Sequence, residues 1–285
     1  MRLANVFDIV AQRIARDGLS KSRGLIFLIG HMRSHSTLLS HQIGSNPEVA
    51  GYIEAHQKYR TWLDLIELEH KIVQAGGHAP GGRFLFDKIL HPLEIRDAIL
   101  RRKDLEVILM VREPGATIRS IVKIGAGGHR SVEEAADHYE SRLEQLREIL
   151  DRRRGRALYL ESEALLDDSA ITLARITKYL GLSIPLTETY ERFPMTGRAK
   201  FGDPSDWISH GTIVHRRGED KLEYFASRRI ALLWQAYEDF RRYAQAGAEC
   251  AILHRAQASA LSAATAHEDE FVRDYKRQTN YRQSF

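Results

Sequence analysis

The sequence predicts an α/β protein, a three-layer sandwich in which helices flank a central, mostly parallel sheet. Two observations carry this. Leu25-Ile26-Phe27-Leu28-Ile29 and Val107-Ile108-Leu109-Met110-Val111 are unbroken runs of branched and bulky side chains bounded by Gly30 and Arg112, the pattern of strands buried on both faces. Around them helical patterns alternate with shorter apolar pieces, which implies βαβ units.

In chain order, a helical pattern at the N-terminus carries Arg2, Asp8, Arg13, Arg16 and Asp17, and no signal-peptide core is present. The first strand is followed by a helix over 36–44, a short strand within 48–52 and a helix over 59–74. Phe84-Leu85-Phe86 reads as a strand, 92–102 as a helix, and the second apolar run leads into helices over 114–124 and 132–153. Ala157-Leu158-Tyr159-Leu160 is a further strand, followed by helices over 165–180 and 221–245. Between those two helices, 183–219 holds three of the seven prolines and lacks periodicity, so it reads as a lid or acceptor loop. The charged stretch 268–285 reads as a tail or an oligomer contact, and no linker divides 1–285 into separate domains.

Composition narrows the function. With 42 Lys plus Arg against 38 Asp plus Glu, the net charge is +4, too small to announce a nucleic-acid binder but enough to hold a polyanionic small molecule locally. Cys250 is the single cysteine, which excludes an intrachain disulfide and a cysteine metal cluster. No apolar run is long enough to cross a bilayer, so a soluble cytoplasmic protein is expected. The thirteen histidines are scattered, and no spaced His/Asp/Glu cluster suggests a metal. Arg152-Arg153-Arg154 resembles a polyanion patch, but cations at a helix end before Gly155 are better read as helix termination. Trp62 and Trp234 fall in helical stripes and read as core; Trp207, Phe193 and Phe201 are the apolar residues of the expected lid.

The loop Gly30-His31-Met32-Arg33-Ser34-His35-Ser36-Thr37 joins the first strand to a helix. At such a strand end, backbone N–H groups and a helix N-terminus make an anion site. Against the nucleotide-binding pattern G-x-x-x-x-G-K-[ST], His35 and Ser36 stand at the second glycine and the lysine, and only Thr37 fits. Triphosphate chemistry is therefore disfavoured, and the cation has moved to Arg33. Farther on, Arg112-Glu113-Pro114 leaves the second buried strand and opens a helix, and Ser120 follows Arg112 by eight residues.

These two segments resemble the sulfotransferases that use 3′-phosphoadenosine 5′-phosphosulfate (PAPS). The first, continuing through Leu38-Leu39 and Asn46-Pro47-Glu48-Val49, is similar to the family's 5′-phosphosulfate loop, P-[KR]-S-G-[ST]-[ST]-L, with His35 in place of its glycine. Arg112 and Ser120 match the 3′-phosphate motif, and Arg216-Arg217-Gly218 resembles the basic segment that folds over that phosphate. Tyr159-Leu160-Glu161-Ser162 resembles the adenine-side segment, with Ser162 replacing its tyrosine. The resemblance implies sulfuryl transfer from PAPS to a hydroxyl or amine of a small-molecule, glycan or lipid acceptor, with release of adenosine 3′,5′-bisphosphate and without a metal. It implies that Arg33, Ser34, His35, Ser36 and Thr37 hold the phosphosulfate, and that Arg112, Ser120, Arg216 and Arg217 hold the 3′-phosphate.

Transfer also needs a base for the acceptor proton and positive charge at the leaving phosphate. Arg33 fills the second role, with Lys88 assisting. Glu54 matches the place of the glutamate in protein-tyrosine sulfotransferases, and His91, near Lys88, resembles the histidine of the cytosolic enzymes. Glu54 is preferred, His91 is the alternative, and His56 and Asp87 stand behind them. A nucleotide-dependent kinase and a non-catalytic phosphonucleotide-binding protein are the rival readings, and a homodimer is one option for the assembly.

Overall fold

The computed structural model describes residues 24–76, 82–125, 128, 131–196, 206–214 and 228–254. Their strands are β1 (Gly24–Gly30), β2 (Val49–Ala50), β3 (Phe84–Ile89), β4 (Leu105–Val111), β5 (Leu158–Glu161) and β6 (Cys250–Ile252). They form one six-stranded sheet in the order β2-β3-β1-β4-β5-β6, with every neighbouring pair parallel. The helices are α1 (Ser36–Gly44), α2 (Trp62–Gln74), α3 (Asp97–Leu100), α4 (Pro114–Ile124), α5 (Val132–Arg152), α6 (Ser162–Asp167), α7 (Ser169–Leu180) and α8 (Arg228–Gly247).

The unbroken apolar runs follow from burial of both sheet faces. Leu25, Phe27, Ile29, Val107 and Leu109 pack with α2, α5 and α8 through Leu68, Ile72, Tyr139, Leu146 and Tyr237. The alternating residues Ile26, Leu28, Ile108 and Met110 pack with Leu39, Ile43, Leu173 and Ile176 of α1 and α7. Register pairs Ile29 with both Ile89 and Leu109, and Gly30 with Met110. A Cβ on Gly30 would stand 2.6 Å from the Met110 carbonyl oxygen, so the strand end closes only around glycine. From β1 the chain crosses to β2 and β3 on one side, then to β4 and β5 on the other. The C-terminal ends of β1 and β4 thus flank the topological switch, where open parallel sheets bind ligands.

Several elements differ from expectation. Of 92–102 only Asp97–Leu100 is helical, because the preceding residues run beside Tyr59: Tyr59 donates its N–H to the Glu94 carbonyl at 2.8 Å, and Arg96 donates to that of Tyr59 at 2.8 Å. The expected 165–180 helix is two, broken at Asp168, whose φ of −141° leaves the helical region. α2 begins at Trp62, where the Asp64 carboxylate takes the N–H of Thr61 at 2.7 Å; Trp62 is 60% exposed there and is no part of the core. β6 was not foreseen. Phe193 stacks on Tyr52 at 4.0 Å between centroids and is buried, so it packs the interior rather than offering a lid surface. The Trp207 side chain and Phe201 lie outside the described residues, as do Arg216, Arg217 and the 268–285 tail. Among the described residues no helix is long and apolar enough to cross a membrane.

Arg153 ends α5 as a buried side chain. It donates to the carbonyls of Leu100, Arg102, Leu105 and Arg156 at 2.6 to 3.2 Å. The middle arginine of the basic triplet therefore ties the end of α5 to the backbone leading into β4 and β5 rather than to the helix's own last carbonyls. Replacing it by methionine leaves buried carbonyls without donors, at a cost of about 2–4 kcal/mol. Urea unfolding of Arg153→Met is expected to show that loss, and an unchanged midpoint would remove Arg153 from this role.

Candidate functional site

The turn after β1 is built on left-handed backbone. Arg33 has φ 65° and His35 φ 58°, so His35 adopts the conformation that glycine takes most easily. Alternation of this kind turns successive N–H groups toward one concave face. The Ser34 hydroxyl is not part of that face, since it donates to the His31 carbonyl at 2.8 Å. On the adjacent strand, buried Lys88 donates from Nζ to Thr37 Oγ1 at 3.3 Å.

The two sequence motifs meet at the switch point. Arg33 Nε donates to Ser120 Oγ on α4 at 2.8 Å, and Arg112 Nη1 donates to the Arg33 carbonyl at 3.2 Å. Arg112 is fixed through its backbone as well. Its N–H donates to His31 Nε2 at 2.9 Å, while its carbonyl accepts from the Tyr139 hydroxyl at 2.8 Å. Because His31 Nδ1 faces the Met32 carbonyl at 2.8 Å, the ring must carry its proton there and stay neutral. Burial pushes its pKa down to about 3, helped by the nearby His138, Arg142 and Arg112.

The acidic residues beside Arg112 are occupied. Glu113 caps α4, accepting from the N–H groups of Gly115 at 2.7 Å and Ala116 at 2.5 Å. Glu163 accepts from the Glu113 N–H at 3.0 Å, and burial raises its pKa. Across the turn, His35 Nδ1 lies 3.2 Å from Ser162 Oγ at the end of β5. Burial first, then the Arg112 and Arg33 charges, keep His35 well below the usual imidazole range. Arg33, His35, Arg112, Ser120 and Ser162 thus gather in one cationic cluster at the ends of β1, β4 and β5.

A second cluster occupies the ends of β2 and β3. Glu54 is 7% exposed, and its Oε1 accepts from the Leu90 N–H at 3.2 Å. The same oxygen lies 3.7 Å from His56 Nδ1 and 3.8 Å from His91 Nε2. The structure therefore brings together both base candidates, with His56, from connectors that the sequence separates. Beneath them Asp87 accepts from the Ala55 N–H at 2.8 Å and the Tyr59 hydroxyl at 2.6 Å. Burial outweighs those bonds and lifts its pKa to about 7.

Arg142 was not foreseen as part of the site. It is buried on α5, where Nε and Nη2 donate to the Gly30 carbonyl at 3.0 and 2.6 Å, and Nη2 reaches the Ile89 carbonyl at 3.3 Å. Its position in the apolar stripe Tyr139, Leu143, Leu146 was the available signal, since a lone arginine there must find buried acceptors.

Acidification pulls two of these groups in opposite directions. Folded His31 stays neutral while the unfolded chain takes its proton below pH 6.5, so His31 lowers stability on acidification, by about 2 kcal/mol at pH 5. Asp87 does the reverse: between 3.8 and about 7 the folded state holds a proton that the unfolded chain releases, so falling pH relieves its cost. Compared with the parent, His31→Gln should lose less stability between pH 7 and pH 5, and Asp87→Asn more. Urea titrations with one pH slope for all three proteins would refute both assignments.

No protein-family model matches the chain, and no curated protein sequence matches it. Solved structures do. The sulfotransferase domain from the curacin biosynthetic pathway superposes with a TM-score of 0.53 at 18% identity, covering 77% of this chain and 99% of that one. The sulfotransferase domain of the Synechococcus PCC 7002 olefin synthase gives 0.49 at 18% identity over 77% and 96%. A Mycobacterium tuberculosis H37Rv sulfotransferase gives 0.47 at 12% identity over 82% and 81%. With its six parallel strands, its switch point between β1 and β4 and this superposition, the chain has the fold of the bacterial sulfotransferase domains.

Proposed function

We propose that the protein moves a sulfuryl group from PAPS to a hydroxyl or amine of a small-molecule, glycan or lipid acceptor and releases adenosine 3′,5′-bisphosphate. One observation carries the reading. Arg33 and Ser120, 87 residues apart, meet at 2.8 Å with Arg112 bonded to the same turn, so both resembling motifs converge on one place. A cofactor with a 5′-phosphosulfate and a 3′-phosphate presents two anionic ends, which suits two arginines anchored at one turn. The left-handed turn at His35 supports close approach of the phosphosulfate despite the missing glycine.

In this reading Arg33, the N–H groups of the turn and the Ser36 and Thr37 hydroxyls hold the phosphosulfate. Arg112 and Ser120 hold the 3′-phosphate, with Arg216 and Arg217 proposed to close over it. Lys88, poised against Thr37, faces the charge that grows on the leaving phosphate. Glu54 takes the acceptor proton as the new bond to sulfur forms, and His91 is the alternative base at the same place. No ATP-type lysine stands behind the turn, which weighs against a kinase.

Calorimetric titration with adenosine 3′,5′-bisphosphate, with ADP as control and no magnesium present, tests the cofactor. Binding that depends on the 3′-phosphate is expected, weakened about 10- to 100-fold in Arg112→Ala. A preference for ADP, or equal affinity in the variant, would sink the reading. With an acceptor in hand, Glu54→Gln should lower kcat by about 10²- to 10⁴-fold while leaving bisphosphate affinity unchanged. If His91→Ala shows that loss and Glu54→Gln does not, the base is His91.

A further inference from the structure

We propose that Glu54, His56 and His91 form a binding site for a divalent transition-metal ion of the zinc class. One donor atom from each lies within 4.8 Å of the others, the only such set among the described residues. Zinc bonds of about 2.0–2.1 Å in tetrahedral array separate ligand atoms by about 3.3 Å. The 3.7 and 3.8 Å separations from Glu54 Oε1 therefore need closing by only about half an ångström, within reach of side-chain rotation. Two imidazoles and one carboxylate make a donor set that zinc favours, with a fourth position left for water or another ligand.

The surroundings hold these donors in place. The connectors after β2 and β3 run together through the Tyr59–Ile95 bridge, and the Lys88 N–H donates to the Ile53 carbonyl at 3.2 Å. Leu90 fixes the carboxylate, and Asp87 fixes the Ala55 N–H between Glu54 and His56. His56 itself has φ 48°, a left-handed backbone that brings its ring to 5.5 Å from that of His91. Such a backbone costs about 1 kcal/mol or more and persists only where the surroundings impose it. The donors come from two separate connectors, so no spacing in the sequence betrays the cluster.

An ion here would occupy the Glu54 oxygen and the His91 nitrogen, the two groups considered for accepting the acceptor's proton. Zinc would then inhibit sulfuryl transfer. That consequence rests on the sulfotransferase reading, whereas ion binding does not.

The test is titration of the full chain with zinc chloride at neutral pH, without nucleotide, for the parent, His56→Ala, His91→Ala and Glu54→Gln. A single site is expected in the parent, with affinity lower by at least about tenfold in each variant, since even outer-shell changes cost that much. Circular dichroism and thermal melts of the variants separate a lost ligand from a lost fold. Absence of binding to the parent would mean that the histidines serve Glu54 only as ion partners. Equal affinity in folded variants would mean that zinc sits on scattered surface histidines. Either result overturns the site and leaves the bisphosphate titration, and the reading it tests, untouched.

Discussion

The site depends on a buried positive charge beneath the ends of two strands. Where β1 and β3 stop, the Gly30 and Ile89 carbonyls are buried, and Arg142 supplies donors to both. Burying a guanidinium is costly, and desolvation lowers its pKa to about 10, yet at neutral pH it stays charged and bonded. The arrangement sets Gly30 before the phosphate-type turn begins and puts a cation within electrostatic range of Glu54. The two halves of the site are thus referenced to one side chain, which belongs to neither motif.

From that fixed point the electrostatics of the cluster follow. Burial keeps His31, His35 and His41 neutral, so none adds charge to the turn, and their polar atoms work as positioned acceptors and donors. The acids near Arg112 spend their lone pairs on backbone N–H groups, Glu113 on α4 and Glu163 on Glu113. Positive charge around the turn therefore comes from Arg33, Arg112 and Lys88. A ligand with two anionic ends meets there two guanidinium groups, whose charge does not titrate near neutrality.

Much of this was legible in the sequence, and what was not shares one cause. Runs such as Val107 to Val111 reveal a strand buried on both faces, because no polar residue is tolerated on either side. Arg33 and Arg112 stood out as cations at strand ends, whereas Ser120, two turns into α4, was singled out only by the resemblance. The 92–96 segment misled because its pattern fits a helix, while pairing with Tyr59, distant in sequence, decides its backbone. Arg142, Tyr139 and His31 act on backbone atoms contributed by remote residues, and local patterning holds no record of those partners. β6 escaped for the same reason: three residues become a strand only because β5 offers an edge.

Sheet order divides the chemistry between two sides of β1. The ends of β1, β4 and β5 carry guanidinium and hydroxyl groups and suit an anion. The ends of β3 and the β2 connector carry a carboxylate and imidazoles and suit proton transfer or a metal. Lys88 spans the seam, because it belongs to β3 yet bonds Thr37 in the β1 turn. In the proposed transfer the sulfuryl group would cross this seam. Parallel order places Glu54 and His91 just beyond strands that precede β4 in the chain and lie on the opposite side of β1 from it. The connectors that carry Glu54 and His91 are tied to one another on that side at the Tyr59–Ile95 bridge.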